Sequence, residues 1–149
     1  PLTSNYDKET LTDIDKWILA KINDFIKNSK KYYESYQLYK LIKNASEILD
    51  DISNWYVRRN RRRFWKSEND SDKLIAYDTL YSSLITIIKV MAPIIPFLTE
   101  KMYENLVSGV VSDSPESIHL CDFPEYDPSI VDSDLINEID TVISIVKIG

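Results

Sequence analysis

Glycine is almost missing: Gly109 and Gly149 are the only two in 149 residues. Two glycines so placed cannot build a phosphate-cradling loop. With only six prolines besides, the chain is predicted to form long helices with few tight turns. Cysteine occurs once, at Cys121, which excludes an internal disulfide framework and a cysteine-rich zinc site. A reducing cytosol is the natural compartment for such a chain. Histidine also occurs once, at His119. A Cys–His nucleophile would need both side chains to converge beside a third, orienting group. A loop of this composition does not supply that, so Ile118 to Cys121 reads as a short extended piece packing on the rest. Asp50, Asp51, Asp70, Asp72 and Glu116 lack the spacing of calcium or zinc ligands. No run approaches the roughly 20 apolar residues that cross a bilayer, and no basic-then-apolar leader opens the chain. No catalytic residue, metal ligand or membrane partner is assigned.

Arginine, by contrast, is concentrated. All five arginines (Arg58, Arg59, Arg61, Arg62, Arg63) fall in one six-residue window, and Trp55 and Trp65 bracket them. With Lys66 this stretch carries +6, so a chain of net charge −6 carries −12 elsewhere. One basic patch on an acidic body suits the docking of one anionic partner in one orientation. Arginine's planar, bidentate donors suit phosphates and base edges better than lysine's point charge does.

Apolar periodicity predicts an all-α fold, an antiparallel bundle of four to five helices. Its core bundle spans 12–108, a linker 109–131 and a last helix 132–148. Thr12 with Asp15 three residues on reads as a capping box, opening a helix that buries Ile14, Trp17, Ile18, Ile22, Phe25 and Ile26. A second helix carries Leu38, Leu41, Ile42, Ala45, Ile48, Leu49, Ile52, Trp55 and Tyr56, and with no Gly or Pro before Lys66 it includes the arginine run. Asn69 to Asp72 cap a third, with Leu74, Tyr77, Leu80, Tyr81, Leu84, Ile87, Ile88 and Met91. Being apolar over much of its circumference, it is predicted to be the most buried. Pro93 ends it. Pro96 opens a fourth, with Phe97, Leu98, Met102, Tyr103 and Leu106 inside and Gly109 as its C-terminal cap. Asp132 or Ser133 starts the last, with Leu135, Ile139, Val142, Ile143 and Val146. Residues 1–11 read as a polar lead-in, and Pro1 and Gly149 as cuts in a longer polypeptide.

At 100° per residue from Ile52, the residues Asn54, Arg58, Arg61 and Trp65 share the face opposite the core, with Arg62 beside them. Their reading is contact with RNA phosphates and bases, with Trp65 free to stack on an unpaired base. The bland alternative is a solvated helix face. Arg59 and Arg63 point near the Ile52 direction and are predicted to pair with carboxylates of a neighbouring helix or domain.

These residues also carry a family resemblance. Asn54-Trp-Tyr-Val-Arg-Arg-Asn-Arg-Arg-Arg-Phe-Trp-Lys66 resembles the signature segment of isoleucyl-tRNA synthetases. Met91-Ala-Pro-Ile-Ile-Pro-Phe-Leu-Thr-Glu-Lys-Met-Tyr103 is similar to the segment that follows it in class I synthetases for branched apolar amino acids. Asp15-Lys-Trp-Ile-Leu19 and Ser117-Ile-His-Leu-Cys-Asp-Phe-Pro124 also fit. The resemblance implies a helical anticodon-binding domain that binds isoleucine-specific tRNA beside a catalytic domain of the same chain. It implies a monomeric cytoplasmic ligase that uses ATP with magnesium, with no cofactor bound by these residues. On this reading the tRNA-binding residues are Asn54, Arg58, Arg61, Arg62, Trp65 and Lys66. The alternative is a helical interaction module whose Arg/Trp face docks on an acidic protein or a sister domain.

Overall fold

A computed structural model describes residues 10–66, 70–108, 111, 114–130 and 133–148. The polar lead-in up to residue 9, and the capping roles assigned to Asn69, Gly109 and Asp132, lie outside the described residues. Among those described, helices form throughout, in the predicted order.

Helix α1 runs Asp13–Glu34. It opens on the capping box: the Asp15 carboxylate accepts the Thr12 backbone N–H at 3.0 Å. It closes where Tyr36 takes a φ of 54° and Gln37 N–H reaches back to the Tyr32 carbonyl at 2.9 Å, a Schellman-type end made here without glycine. Helix α2 follows at Leu38–Asp50 and runs into a π-helical stretch, Asp51–Val57, then α3, Arg61–Lys66. The second predicted helix is thus one rod whose backbone register changes midway. Helix α4 spans Asp70–Met91 and α5 Pro96–Leu106, with Pro96 in its first turn; α6 spans Ser133–Ile148.

The main core joins Trp17, Ile18, Ile22 and Phe25 of α1 to Leu41, Ile48, Ile52 and Tyr56 of the rod, with Phe64, Ala76, Val90 and Ile143 around them. Five of the largest fully buried side chains (Trp17, Phe25, Ile18, Leu19, Ile22) lie on α1. Helix α1, rather than α4, therefore carries the centre of the core. Leu74 and Tyr77 of α4 face solvent, as do Leu38, Ile42 and Leu49 of α2, Leu98 of α5 and Val142 and Val146 of α6; Phe97 is 90% exposed. Apolar periodicity marks a stripe, but how wide a stripe is covered depends on how many neighbours reach it. By length and composition Ser71–Met91 could cross a membrane, contrary to the sequence expectation. Here it packs on α1, α3 and α5 instead, and buries Thr79, Ser83 and Thr86. Ser83 and Thr86 return their hydroxyls to carbonyls four residues back, as helix-buried hydroxyls do.

A second cluster holds Ile88, Ala92, Tyr103, Val107 and Ile118. Ile118–Leu120 is a 3₁₀ turn rather than the extended piece predicted, because the Ser117 hydroxyl accepts the His119 N–H and the Glu100 carboxylate takes the Ile118 N–H. The chain after it is strapped to α1. Phe123 meets Tyr33 edge-on, Lys27 sits over the Tyr126 ring, and the Asn23 amide pairs with both backbone groups of Asp127.

Candidate nucleic-acid interface

The arginine run takes its geometry from the π-helical stretch. A π turn holds more residues per turn than an α turn, so the side chains beyond it are rotated relative to an uninterrupted α-helix. The buried positions accordingly step by fours, through Ile52, Tyr56, Asn60 and Phe64. An uninterrupted α-helix would have brought Arg59 back under Ile52. With the register shifted, Asn60 takes the inner position and Arg59 is exposed, which corrects the prediction that Arg59 pairs inward.

Arg63 does turn inward, as predicted. Its guanidinium lies 2.9 Å from both oxygens of Asp15 in α1 and 2.7 Å from Asp72 in α4, with Nε also on Asp72 at 2.9 Å. It donates as well to Asn60 Oδ1 at 3.1 Å. Its side chain is only 14% exposed and that of Asp15 is fully buried. Asp15 further accepts the Tyr56 hydroxyl at 2.6 Å, and that hydroxyl also reaches the Ala76 carbonyl. Burial pushes the Asp15 carboxyl up, but the bonds from Arg63, Thr12 and Tyr56 outweigh it and hold the group below the usual carboxylate range. Burial likewise opposes the charge on Arg63, and its bonds to Asp15 and Asp72 hold its pKa above the ordinary value. Burial and the Asp15 charge push the Tyr56 phenol well up. One residue of the capping box is thus also the buried counter-ion of an arginine 48 positions away.

The remaining arginines face water. Arg58, Arg59, Arg61 and Arg62 are exposed, and among the described residues no carboxylate pairs with them. Trp65 is 68% exposed. Its ring is nonetheless fixed: the Arg61 guanidinium sits 5.7 Å from its centroid and Phe64 meets it edge-on at 6.3 Å. Phe64 is itself buried against Tyr56 and Tyr77. Asn54 is exposed too, but its amide donates to Asp50 one turn back and it stands within the π-helical stretch, a turn before Arg58. Lys66 ends α3; its side chain lies outside the described residues. Trp55 is half-buried against the core, as predicted.

Sequence reasoning missed Asn60, Phe64, Asp15 and Asp72 as the supports of this surface. The step-of-four series from Ile52 to Phe64 is visible in the sequence, but it competes with the ordinary helical repeat, and only the tertiary anchors choose between them.

A basic, aromatic face fixed from below and open above has the chemistry of an RNA-binding surface: guanidinium groups for phosphates and an indole for an unpaired base. Residues 15–149 match the family model described as the anticodon-binding domain of tRNA ligase. The chain is 47% identical over 136 residues to the isoleucine–tRNA ligase of Clostridium novyi, covering 91% of this chain and 13% of that protein. It is 40% identical over 147 residues to that of Dehalococcoides mccartyi, covering 99% of this chain and 14% of the relative. With that of Thermus thermophilus it shares 38% identity over 142 residues, 95% of this chain and 14% of the relative. The chain thus spans about one seventh of the length of these curated relatives.

Proposed function

Because the chain belongs to the family of anticodon-binding domains of tRNA ligases, we propose that Arg58, Arg61, Arg62 and Trp65 hold the anticodon stem and loop of a tRNA, as part of an isoleucine–tRNA ligase. The observation that carries this reading is the division of labour among five adjacent arginines. One is bound inside by two carboxylates, while four face solvent with no acid paired to them among the described residues. Free guanidinium groups beside a fixed indole are arranged for an outside anion with unpaired bases. The acidic remainder of the chain disfavours polyanions elsewhere and so favours this one site. Arg59 joins the exposed set. Asn54 and Lys66 belong to its margins, Asn54 as a neighbour whose amide is already engaged by Asp50.

The shared name of the relatives supports isoleucine as the amino acid and tRNA as the partner. On this reading amino-acid activation with ATP and magnesium belongs to a catalytic domain elsewhere in a monomeric cytoplasmic polypeptide. The residues described here contribute the grip on tRNA.

The test is a salt series of tRNA binding by the full-length protein with Arg58, Arg61 and Arg62 changed singly to Ala. Each phosphate contact removed lowers the log–log salt slope by about 0.7 to 0.9. Unchanged affinity and slope in all three variants would remove the assignment.

A further inference from the structure

The surface assigned to tRNA ends in α3, the last six residues of the rod, beyond its π-helical stretch. The backbone carries the rod into it, with the Asn60 N–H on the Tyr56 carbonyl at 3.0 Å and the Phe64 N–H on the Asn60 carbonyl at 3.1 Å, and the register change before it makes its rotation depend on what it meets. Two side chains fix it to the body. Phe64 packs downward on Tyr56 and Tyr77. Arg63 reaches sideways, one nitrogen on Asp15 at the start of α1 and two on Asp72 at the start of α4. The exposed Arg62 and Trp65 are the immediate neighbours of these two anchors in the sequence, and the exposed Arg61 stands one position before Arg62. A rotation of α3 by one position would exchange the exposed and buried arginines.

The chemistry of the anchor is informative. A buried ion pair is an indifferent source of stability, since well-packed apolar residues of similar size often do as well or better. Near an RNA surface it carries a second disadvantage, because two carboxylates are held beside the helix that must attract phosphates. What a forked guanidinium bonded to two fixed carboxylates supplies, and an apolar contact does not, is a single rotational setting for the helix.

We infer that Asp15, Arg63 and Asp72 form a positioning clamp that fixes the rotation of α3, and through it the placement of Arg61, Arg62 and Trp65 against RNA, without touching RNA themselves. This rests on the reading that the arginine face binds tRNA. The fully buried Asp15 carboxylate is out of reach of any ligand, and Arg63 has its donors engaged by protein.

Electrostatics and positioning predict opposite signs, which makes the clamp testable. Asp72→Ala removes a negative charge close to the arginine face. If Asp72 acted only through its field, tRNA would bind more tightly. If it positions α3, tRNA binds about tenfold more weakly, in the range usual for residues coupled through one network, and the salt slope falls as phosphate contacts are lost. The full-length protein is used, with tRNA as probe and near-UV circular dichroism confirming that the variant is folded. Arg63→Lys keeps the charge but loses the fork, and weakens binding in the same direction. Asp72→Asn keeps an acceptor and lies between Asp72→Ala and the unmodified protein. In the double variant of Asp72→Ala with Arg61→Ala the combined loss is smaller than the product of the two, because the second change removes a contact the first has already displaced. Equal or tighter binding by folded Asp72→Ala and Arg63→Lys, with Arg61→Ala still weakened, overturns the clamp and leaves the tRNA reading standing. Unchanged binding by Arg58→Ala, Arg61→Ala and Arg62→Ala as well overturns both.

Discussion

The indole of Trp65 stands on the surface with Phe64 against its edge and Arg61 over its ring. Tryptophan is highly buried on average, so an indole 68% exposed stands out. Fixing the ring beforehand lowers the entropy lost when a base stacks on it. Trp65→Ala is therefore expected to weaken tRNA binding by roughly 1–3 kcal/mol, while stability moves within about 0.5 kcal/mol, as is usual for exposed positions. Titration of tRNA and a urea melt measure the two effects separately. A tRNA fragment lacking the unpaired anticodon bases should bind the variant and the unmodified protein alike. Nine positions earlier, Tyr56 serves the inside. Its hydroxyl donates to the Asp15 carboxylate and the Ala76 carbonyl. Tyr56→Phe leaves one buried charge with a donor fewer and is expected to cost about 1–3 kcal/mol, read as a lower urea midpoint. That Trp65 would be exposed was legible from its angle to Ile52. That Asp15 would be the acid meeting Arg63 was not, because a capping box explains an Asp at that position without any long-range partner.

Among the elements, starts and stops were the most legible part. Thr12, Pro93 and Pro96 act locally, and local chemistry can be read from local sequence. The rotation of α3 was not legible, since it depends on the π-helical stretch. That register is held by distant contacts: Lys21 of α1 pairs with Asp51 at 3.0 Å, and Tyr56 reaches Asp15. An interruption of this kind changed the fate of Arg59 and left that of Arg63 intact. The docking of α6 is tertiary in the same sense. Its apolar stripe predicts a helix with one covered side, but not which side or what it meets. Ile143 enters the core, and Asp140 accepts from Trp17 Nε1 at 3.1 Å and from Lys21 at 3.2 Å. Val142, Ile145 and Val146 remain exposed. Asp140→Ala should therefore loosen α6 selectively. Hydrogen exchange is expected to quicken across 133–148 while the amides of α1 and α4 stay protected, with a stability loss of about 1–3 kcal/mol. Uniform loss of protection would mean that α6 is instead part of the same cooperative unit as the main core.

At the scale of the whole molecule, its buried titratable groups set the pH limits of the fold. The Asp15 carboxyl is held below its ordinary value of 3.8. A group depressed in the folded state contributes stability above its unfolded pKa and loses it as pH falls through the folded one, so this contribution disappears below about pH 4. The alkaline limit comes from phenols. Burial pushes Tyr33 from 10.0 to about 12, while its hydroxyl donates to the Val90 carbonyl at 2.7 Å. Below pH 10 both folded and unfolded chains keep the Tyr33 proton. Between about 10 and about 12 the unfolded chain releases it and the folded chain does not, so this part of the stability falls as pH rises. Tyr56 acts in the same direction. Tyr33→Phe separates the contributions. Near neutral pH the variant loses one hydrogen bond, roughly 0.5–1.5 kcal/mol. From about pH 10 upward its stability should fall less than that of the unmodified protein, because a phenyl ring has no proton for the unfolded chain to release. Urea midpoints measured from neutral pH to about pH 12 give both quantities. Parallel alkaline limbs for the two proteins would show that Tyr33 is no more protected from ionisation in the fold than in the unfolded chain, whatever the neutral-pH cost.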